Sequence, residues 1–305
     1  MQKIKIMYHI PVMLKETLEG LAIKPDGIYV DVTYGGGGHS REILKQLGPE
    51  GRLIGFDQDE DALKNTIDDN RFMLIHQNFR YMKNFLRLYK AIPVDGILAD
   101  LGISSHQIDV PDRGFSIRFD NIELDLRMDR KKSLSAKYVL NTYTEEQLRD
   151  VFSQFGELHN AARLAYLITE SRRDKEISTV NQFKSVVNSC APRGKENQFF
   201  ARIFQALRIE VNDELEVLKE LLRQSNEILK PGGRLAIIAY HSLEDRLVKN
   251  YMRAGNFGGI VEKDFYGNVQ QPLRQISRKP IEPSEAEIEK NSRSRSAKLR
   301  IAEKL

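Results

Sequence analysis

The segment Asp31-Val-Thr-Tyr-Gly-Gly-Gly-Gly-His-Ser40 ends a short apolar run with an acid and then enters four glycines. A glycine-rich turn between a strand and a helix lets backbone approach a ligand closely. Asp57 closes the next apolar run, 20 residues past Gly37. An acid at that place accepts hydrogen bonds from ribose hydroxyls. The pair therefore points to a cofactor that carries adenosine, set against the plainer reading of a structural glycine turn and a capping acid. Both a nicotinamide dinucleotide and S-adenosyl-L-methionine fit so far. Gly35, Gly37 and Ser40 nearly meet the dinucleotide fingerprint, but the final glycine is missing. Asp100-Leu-Gly102 ends a fourth apolar run, and Lys230-Pro-Gly-Gly233 opens a fifth, an arrangement typical of methyltransferases. The order of these pieces favours S-adenosyl-L-methionine. His39 lies inside the glycine loop, yet no second His or Cys stands at ligand-like spacing, so no metal is expected.

Four strand-like runs must carry these residues: 27–33, 52–57, 72–76 and 94–100. The first three are each followed by a helical pattern, at 40–47, 59–67 and 80–88. Short apolar strands alternating with helices predict a parallel sheet covered on both faces. The alternation stops near Asp109. Thr144-Glu-Glu-Gln147 is a capping-box pattern ahead of Leu148, Val151, Phe152 and Phe155 at helical spacing. Further helices are expected at 161–172 and 180–190, with an exit linker over 188–195. The α/β pattern then resumes: a long amphipathic helix over 204–229, a strand over 234–240, a helix over 242–253, and weaker strands near 260–264 and 297–302. The expected organisation is an α/β domain from 1–108 and 194–305, interrupted by a helical insertion over 109–193.

The chain has 305 residues, is 41% hydrophobic and 30% charged, and carries a net charge of +4. That supports a substantial core and permits a nucleic-acid partner without requiring one. A single cysteine, Cys190, excludes an internal disulfide framework, which suits a cytoplasmic protein. A plain thiol is the simpler reading of Cys190 than a nucleophile. No stretch approaches the ~20 apolar residues of a membrane span, and no signal peptide is read at the start.

His9-Ile-Pro-Val-Met-Leu, the glycine loop, Asp100-Leu-Gly-Ile-Ser-Ser-His-Gln-Ile-Asp109, Asp112-Arg-Gly-Phe-Ser116, Leu124-Asp-Leu-Arg-Met-Asp129, Phe204-Gln-Ala-Leu-Arg-Ile-Glu-Val-Asn212, His241-Ser-Leu-Glu-Asp-Arg246 and the Arg-Ser-Arg-Ser-Ala-Lys-Leu-Arg tail follow one another in order. Together they resemble the RsmH (MraW) family, the 16S rRNA cytosine-N4 methyltransferases, over nearly the whole chain. The resemblance implies a class I S-adenosylmethionine-dependent methyltransferase fold with a helical insertion that helps hold RNA. It implies a cytidine in the decoding centre of 16S rRNA as substrate, within the small ribosomal subunit, with no membrane; a homodimer is compatible with it. By match to the motifs, Gly37, Gly38 and His39 should contact the cofactor, Asp57 its ribose, Phe79 the adenine region, and Asp100 and Gln107 the methionine side or the site entrance. Two departures stand out. Gln198-Phe-Phe-Ala-Arg202 replaces the common His-Pro-Ala-Thr-Arg, and Tyr240 stands where Phe commonly precedes the His241 motif.

The sulfonium already activates the methyl group, so the enzyme mainly aligns the nucleophile. Cytosine N4 is a poor nucleophile, because its lone pair is shared with the ring. An acceptor beside N4 would localise that pair, and Asp100 or the carbonyls beside it are placed for this. The Asp/Ser-Pro-Pro-aromatic sequence usual in N4/N6 methyltransferases is absent. His241 is expected either to orient the base or take a proton late, or to cap the helix that follows it. Glu244, Asp245 and Arg246 read as a structural ion-pair set in preference to catalytic groups, and Asp125, Arg127 and Asp129 either order the start of the insertion or contact RNA. Phe115 and Phe119 are expected either to stack on a flipped base or to lie in the core.

Overall fold

The structure, a computed structural model, describes residues 11–267 and 271–305; His9 and Ile10 of the first motif lie outside them. Helix α1 (Leu14–Leu21) leads into β1 (Ile28–Asp31), α2 (Gly38–Gln46), β2 (Arg52–Asp57), β3 (Phe72–His76), α3 (Met82–Leu88) and β4 (Val94–Asp100). There follow α4 (Ser105–Asp109), α5 (Ala136–Thr142), α6 (Glu145–Gln154), α7 (Ala161–Asp174), α8 (Val180–Val187) and α9 (Glu196–Asn212). The chain closes with α10 (Glu214–Ile228), β5 (Leu229–Ala239), α11 (Ser242–Ala254), β6 (Leu273–Gln275), α12 (Glu285–Lys290) and β7 (Lys298–Lys304).

The chain divides into two compact units, Met1–Gly102 with Glu216–Leu305, and Ile103–Leu215. In the first, one sheet runs in the order β3-β2-β1-β4-β5-β7-β6. The first five strands are parallel, while β7 is antiparallel to both β5 and β6. Alternate residues of each strand serve opposite faces. Val30, Ile54, Phe56, Ile97 and Ile237 enter one core, and Tyr29, Leu53, Leu98, Ala236 and Ile238 the other. Burial on both faces is why these strands read as continuous apolar runs. From β1 the chain moves outward to β2 and β3, and from β4 it moves the other way to β5. The switch point is therefore the β1/β4 pair, where ligands of open α/β sheets collect outside the carboxyl ends of the strands.

The second unit is helical and has its own core, with Leu124, Leu140, Phe152, Leu164, Phe183 and Leu207 buried in it. It is larger than the expected insertion over 109–193. Helix α9 belongs to it because Phe199, Phe200, Ile203, Phe204 and Leu207 enter that core. The capping box at Thr144 forms as expected, with Gln147 N donating to Thr144 Oγ1 and Thr144 N to Gln147 Oε1. Asp125 pairs with Arg127 at 2.6 Å, and Arg127 also donates to the carbonyls of Arg130 and Lys132, ordering this stretch as read.

Three elements differ from expectation. The helix expected over 204–229 is two helices, parted at Asp213, whose φ of 57° is left-handed. A short acid tolerates that conformation better than most residues, so an unbroken apolar pattern conceals the break. The strand expected near 260–264 is absent, and Leu273–Gln275 pairs with β7 instead. Strand β5 begins at Leu229, before the expected 234, and Lys230-Pro-Gly-Gly233 forms an irregularity between the pairs Val94/Leu229 and Gly96/Arg234. Proline and glycine within a strand mark such a bulge.

Candidate active site at the carboxyl ends of the strands

Three strands of the first unit end in acids: Asp31 on β1, Asp57 on β2 and Asp100 on β4. Asp31 is buried; its Oδ2 accepts from Ser40 Oγ at 2.7 Å and its Oδ1 from Thr33 N at 3.2 Å. Thr33 in turn uses Oγ1 to accept from Asp100 N at 2.7 Å, which ties the ends of β1 and β4 together. Asp31 is thus a brace under the glycine loop, and burial pushes its carboxyl above the ordinary range. Sequence reasoning missed this role, although the alignment of three strand-end acids would have signalled it.

The glycine loop passes between these acids. Gly37 has φ +72°, and a Cβ there would lie 2.6 Å from the Tyr34 hydroxyl. At Gly38 a Cβ would meet Pro11 Cγ at 2.5 Å. Both glycines are therefore required by close approach, one to the loop's own tyrosine and one to the segment before α1. Tyr34 Oη donates to the carbonyl of Asn65 at 2.5 Å, and Asn65 Nδ2 donates to the carbonyl of Gly35 at 3.2 Å. Arg41 donates to the carbonyl of Gly36 at 2.6 Å. The loop is held on both sides before any ligand arrives.

His39, at the head of α2, is buried and turns Nε2 to the carbonyl of Val12 at 3.0 Å. A carbonyl can only accept, so Nε2 carries the proton. Burial holds the imidazole below its ordinary pKa and therefore neutral, which leaves a lone pair on Nδ1. That nitrogen lies 3.9 Å from Asp100 Oδ2.

Asp57 accepts from Gly35 N on Oδ2 at 2.7 Å and from Asp59 N on Oδ1 at 2.8 Å. An ionised carboxylate has roughly four acceptor sites, so each oxygen can still take a hydroxyl hydrogen bond. Burial raises this carboxyl to about 6, against the lowering effect of the two backbone N–H groups. At the neighbouring strand ends, Asn78 Nδ2 donates to Gln58 Oε1 at 2.7 Å, and Phe79 follows Asn78, half-buried. Phe79 packs against the core on one face of the sheet.

Asp100 is raised further, to about 7, again by burial, which outweighs the hydrogen bond from Tyr240. Its Oδ1 accepts from Tyr240 Oη at 2.7 Å. His241 follows Tyr240 and caps α11: its Nδ1 accepts weakly from Glu244 N at 3.4 Å, and its Nε2 lies 3.2 Å from Glu244 Oε1. Glu244 accepts from Tyr240 N at 2.9 Å and from His241 N at 3.3 Å. Of the two readings of His241, capping is the one its contacts describe. Asp245 pairs with Arg300 at 2.6 Å, so this part of the motif is structural as expected.

Gln107 belongs to the second unit, where its Oε1 accepts from Ser104 N at 3.0 Å in the cap of α4. Phe115 is a core residue of that unit, so it is not a stacking platform. Phe119 is half-buried, and Arg202 is exposed. The Cys190 thiol is pushed up by burial, which suits an unreactive side chain.

The donor set suits a cationic adenosine cofactor. Asp57 has acceptor sites left on both oxygens, and Asp100 meets Tyr240 through Oδ1, with Oδ2 3.9 Å from His39 Nδ1. No helix among the described residues is long and apolar enough to cross a membrane.

A model of the MraW methylase family matches residues 6–305. A protein of Flavobacterium johnsoniae described as Ribosomal RNA small subunit methyltransferase H is 58% identical over 298 residues, covering 98% of this chain and 98% of its own. One of the same description from Parabacteroides distasonis is 56% identical over 299 residues, 98% of each chain. One from Bacteroides thetaiotaomicron is 54% identical over 304 residues, 100% of each. Among solved structures, an rRNA methylase from Streptococcus thermophilus aligns with 97% of this chain and 99% of its own at 13% identity and a TM-score of 0.43. Matched from residue 6 to its last residue, and bearing its glycine loop and acids on a doubly wound sheet, the chain belongs to the MraW methylase family.

Proposed function

We propose that this chain transfers the methyl group of S-adenosyl-L-methionine to the exocyclic N4 of a cytidine in the decoding centre of 16S rRNA, in the cytoplasm and within the small ribosomal subunit. The observation that carries the reading is the pair of strand-end acids, Asp57 and Asp100, flanking a glycine loop in a chain at least half identical, along its length, to proteins described as small-subunit rRNA methyltransferases.

In this reading Asp57 receives the ribose hydroxyls and Phe79 lies against the adenine. Gly37 and Gly38 supply bare backbone, because no side chain fits there. His39 braces the loop from Val12 and stays neutral, so it adds no charge that would repel a cation. Asp100 Oδ2 takes the cofactor's ammonium, and Gln107 is assigned to the cofactor by its motif. The cofactor supplies an activated methyl group, and the chain's own contribution is alignment and exclusion of water. His241 is left in its helix-capping role. The second unit is assigned to RNA.

Small subunits from a strain lacking the gene, incubated with the protein and tritiated S-adenosyl-L-methionine, should yield label in N4-methylcytidine at one rRNA position. Label in another nucleoside would redirect the substrate assignment. Absence of label with cofactor binding intact would overturn it.

A further inference from the structure

We infer that Tyr240 is a positioning residue for Asp100, its hydroxyl holding Oδ1 so that Oδ2 stays available, and charged, for the cofactor's ammonium. The inference rests on the cofactor reading above.

Both partners are fixed by their backbones before the side chains meet. Asp100 N donates to Thr33 Oγ1 at 2.7 Å, and Tyr240 N donates to Glu244 Oε2 at 2.9 Å. Leu101 N donates to the carbonyl of Ile238 at 2.9 Å, holding the two strand ends in register. The Tyr240 ring lies beside Gly102, whose φ is +95° and where a Cβ would come within 3.4 Å of Tyr240 Cδ2. With ring and strand ends set, the hydroxyl has one described side-chain target, Asp100 Oδ1 at 2.7 Å.

The surroundings explain why such a donor matters. Glu244 on α11 and Asp31 on β1 both oppose a negative charge on Asp100. His39 on α2 faces it as a neutral ring, with a lone pair at 3.9 Å. Thr33 offers its oxygen to the Asp100 backbone, not a proton to the carboxylate. Tyr240 itself is held far above the ordinary phenol range by burial and by Asp100, so it remains a donor. A hydrogen bond to the charged form favours that form. Without the hydroxyl, the buried carboxyl would be neutral over a wider span of pH and could not hold a cation.

The test is the pH dependence of S-adenosylhomocysteine binding, by calorimetry from pH 6 to 9, for the full chain and for Tyr240→Phe. The ligand's own titration is common to both proteins, so the difference between profiles isolates the protein. The full chain should lose affinity as pH falls through about 7. In Tyr240→Phe that fall should move up by about one pH unit, giving a roughly ten-fold deficit near neutrality that closes toward pH 9. If Tyr240→Phe fails to fold, 3-fluorotyrosine at position 240 keeps the ring and makes a stronger donor, and should move the fall to lower pH. Coincident profiles, or profiles offset by a constant factor at every pH, would overturn the inference while leaving the cofactor reading intact. A full chain that binds no S-adenosylhomocysteine at any pH would remove that reading, and the inference with it.

Discussion

His39 spans the space between the segment before α1 and the end of β4: its Nε2 meets the Val12 carbonyl at 3.0 Å, and its Nδ1 stands 3.9 Å from Asp100 Oδ2. A single ring thus bonds the segment that precedes the first described helix and faces the acid at the topological switch point. Replacing His39 with Leu keeps the apolar bulk but strands the Val12 carbonyl. A buried, unsatisfied acceptor costs about 1–3 kcal/mol. His39→Leu should therefore lower the thermal midpoint and weaken S-adenosylhomocysteine binding, both readable in one differential scanning experiment with and without ligand. An unchanged ligand-induced shift would show that the brace does not serve the loop.

Asp57→Ala removes the acceptors proposed for the ribose. Two charge-assisted hydrogen bonds at ~1.5–3 kcal/mol each predict a loss of affinity of at least about 100-fold. Gly35 N and Asp59 N also lose their partner, so the loop should loosen. Calorimetry against adenosine and against S-adenosylhomocysteine separates these effects. The ribose reading requires adenosine to lose affinity as well.

The acids of this site were legible in the sequence because each closes an apolar run, and a parallel strand buried on both faces must end where its polar residue emerges. Asp57 and Asp100 were found in that way, whereas the switch point between β1 and β4 emerges only from the strand order of the folded sheet. What joins the acids was not legible. Tyr240 and Asp100 are 140 residues apart, and His39 and Val12 are 27 apart; both contacts depend on strand order and on a loop path that periodicity does not encode. The insertion was read over 109–193, whereas the compact helical unit runs over Ile103–Leu215. Helix α9 has an apolar face that would suit either unit, and only packing assigns Phe204 to the helical one. Asp213 concealed a helix break for the same kind of reason: one left-handed residue interrupts the backbone without interrupting the pattern.

The elevated carboxyls give a stability prediction with a definite sign. In the free protein Asp57 and Asp100 are raised to about 6 and about 7. A carboxyl whose folded pKa exceeds its unfolded value near 4 favours folding fully only below that lower value. The contribution is lost as pH rises through the folded pKa. Asp100→Asn removes this cost, because an amide keeps an acceptor for Tyr240 and places a donor toward the His39 Nδ1 lone pair. The variant should be more stable than the parent at pH 8, by at most a few kcal/mol, or roughly 2–4 °C per kcal/mol in thermal midpoint. The advantage should shrink toward pH 5. Cofactor affinity should fall in the same protein, since an amide cannot hold the ammonium as a carboxylate does. Equal midpoints at both pH values would contradict the buried, raised state of Asp100.

The helical unit offers a test independent of the cofactor. Asn212 is buried near the end of α9, where Nδ2 donates to the carbonyl of Leu126 at 2.8 Å and Oδ1 accepts from Met128 N at 2.8 Å. One amide therefore satisfies both backbone groups flanking Arg127, in the stretch where Leu126 has φ 62°. A non-glycine residue in that region persists only when its surroundings hold it there. Asn212→Ala removes both of these buried hydrogen bonds, at ~1–3 kcal/mol each, whereas Asn212→Asp keeps an acceptor for Met128 N but loses the donor to Leu126. Chemical denaturation should rank the parent above both variants, with Ala losing about 2–5 kcal/mol. Hydrogen exchange should report faster exchange at Met128 N in Ala than in Asp. Equal protection of Met128 N in the two variants would mean that the Leu126–Met128 turn is held by something other than Asn212.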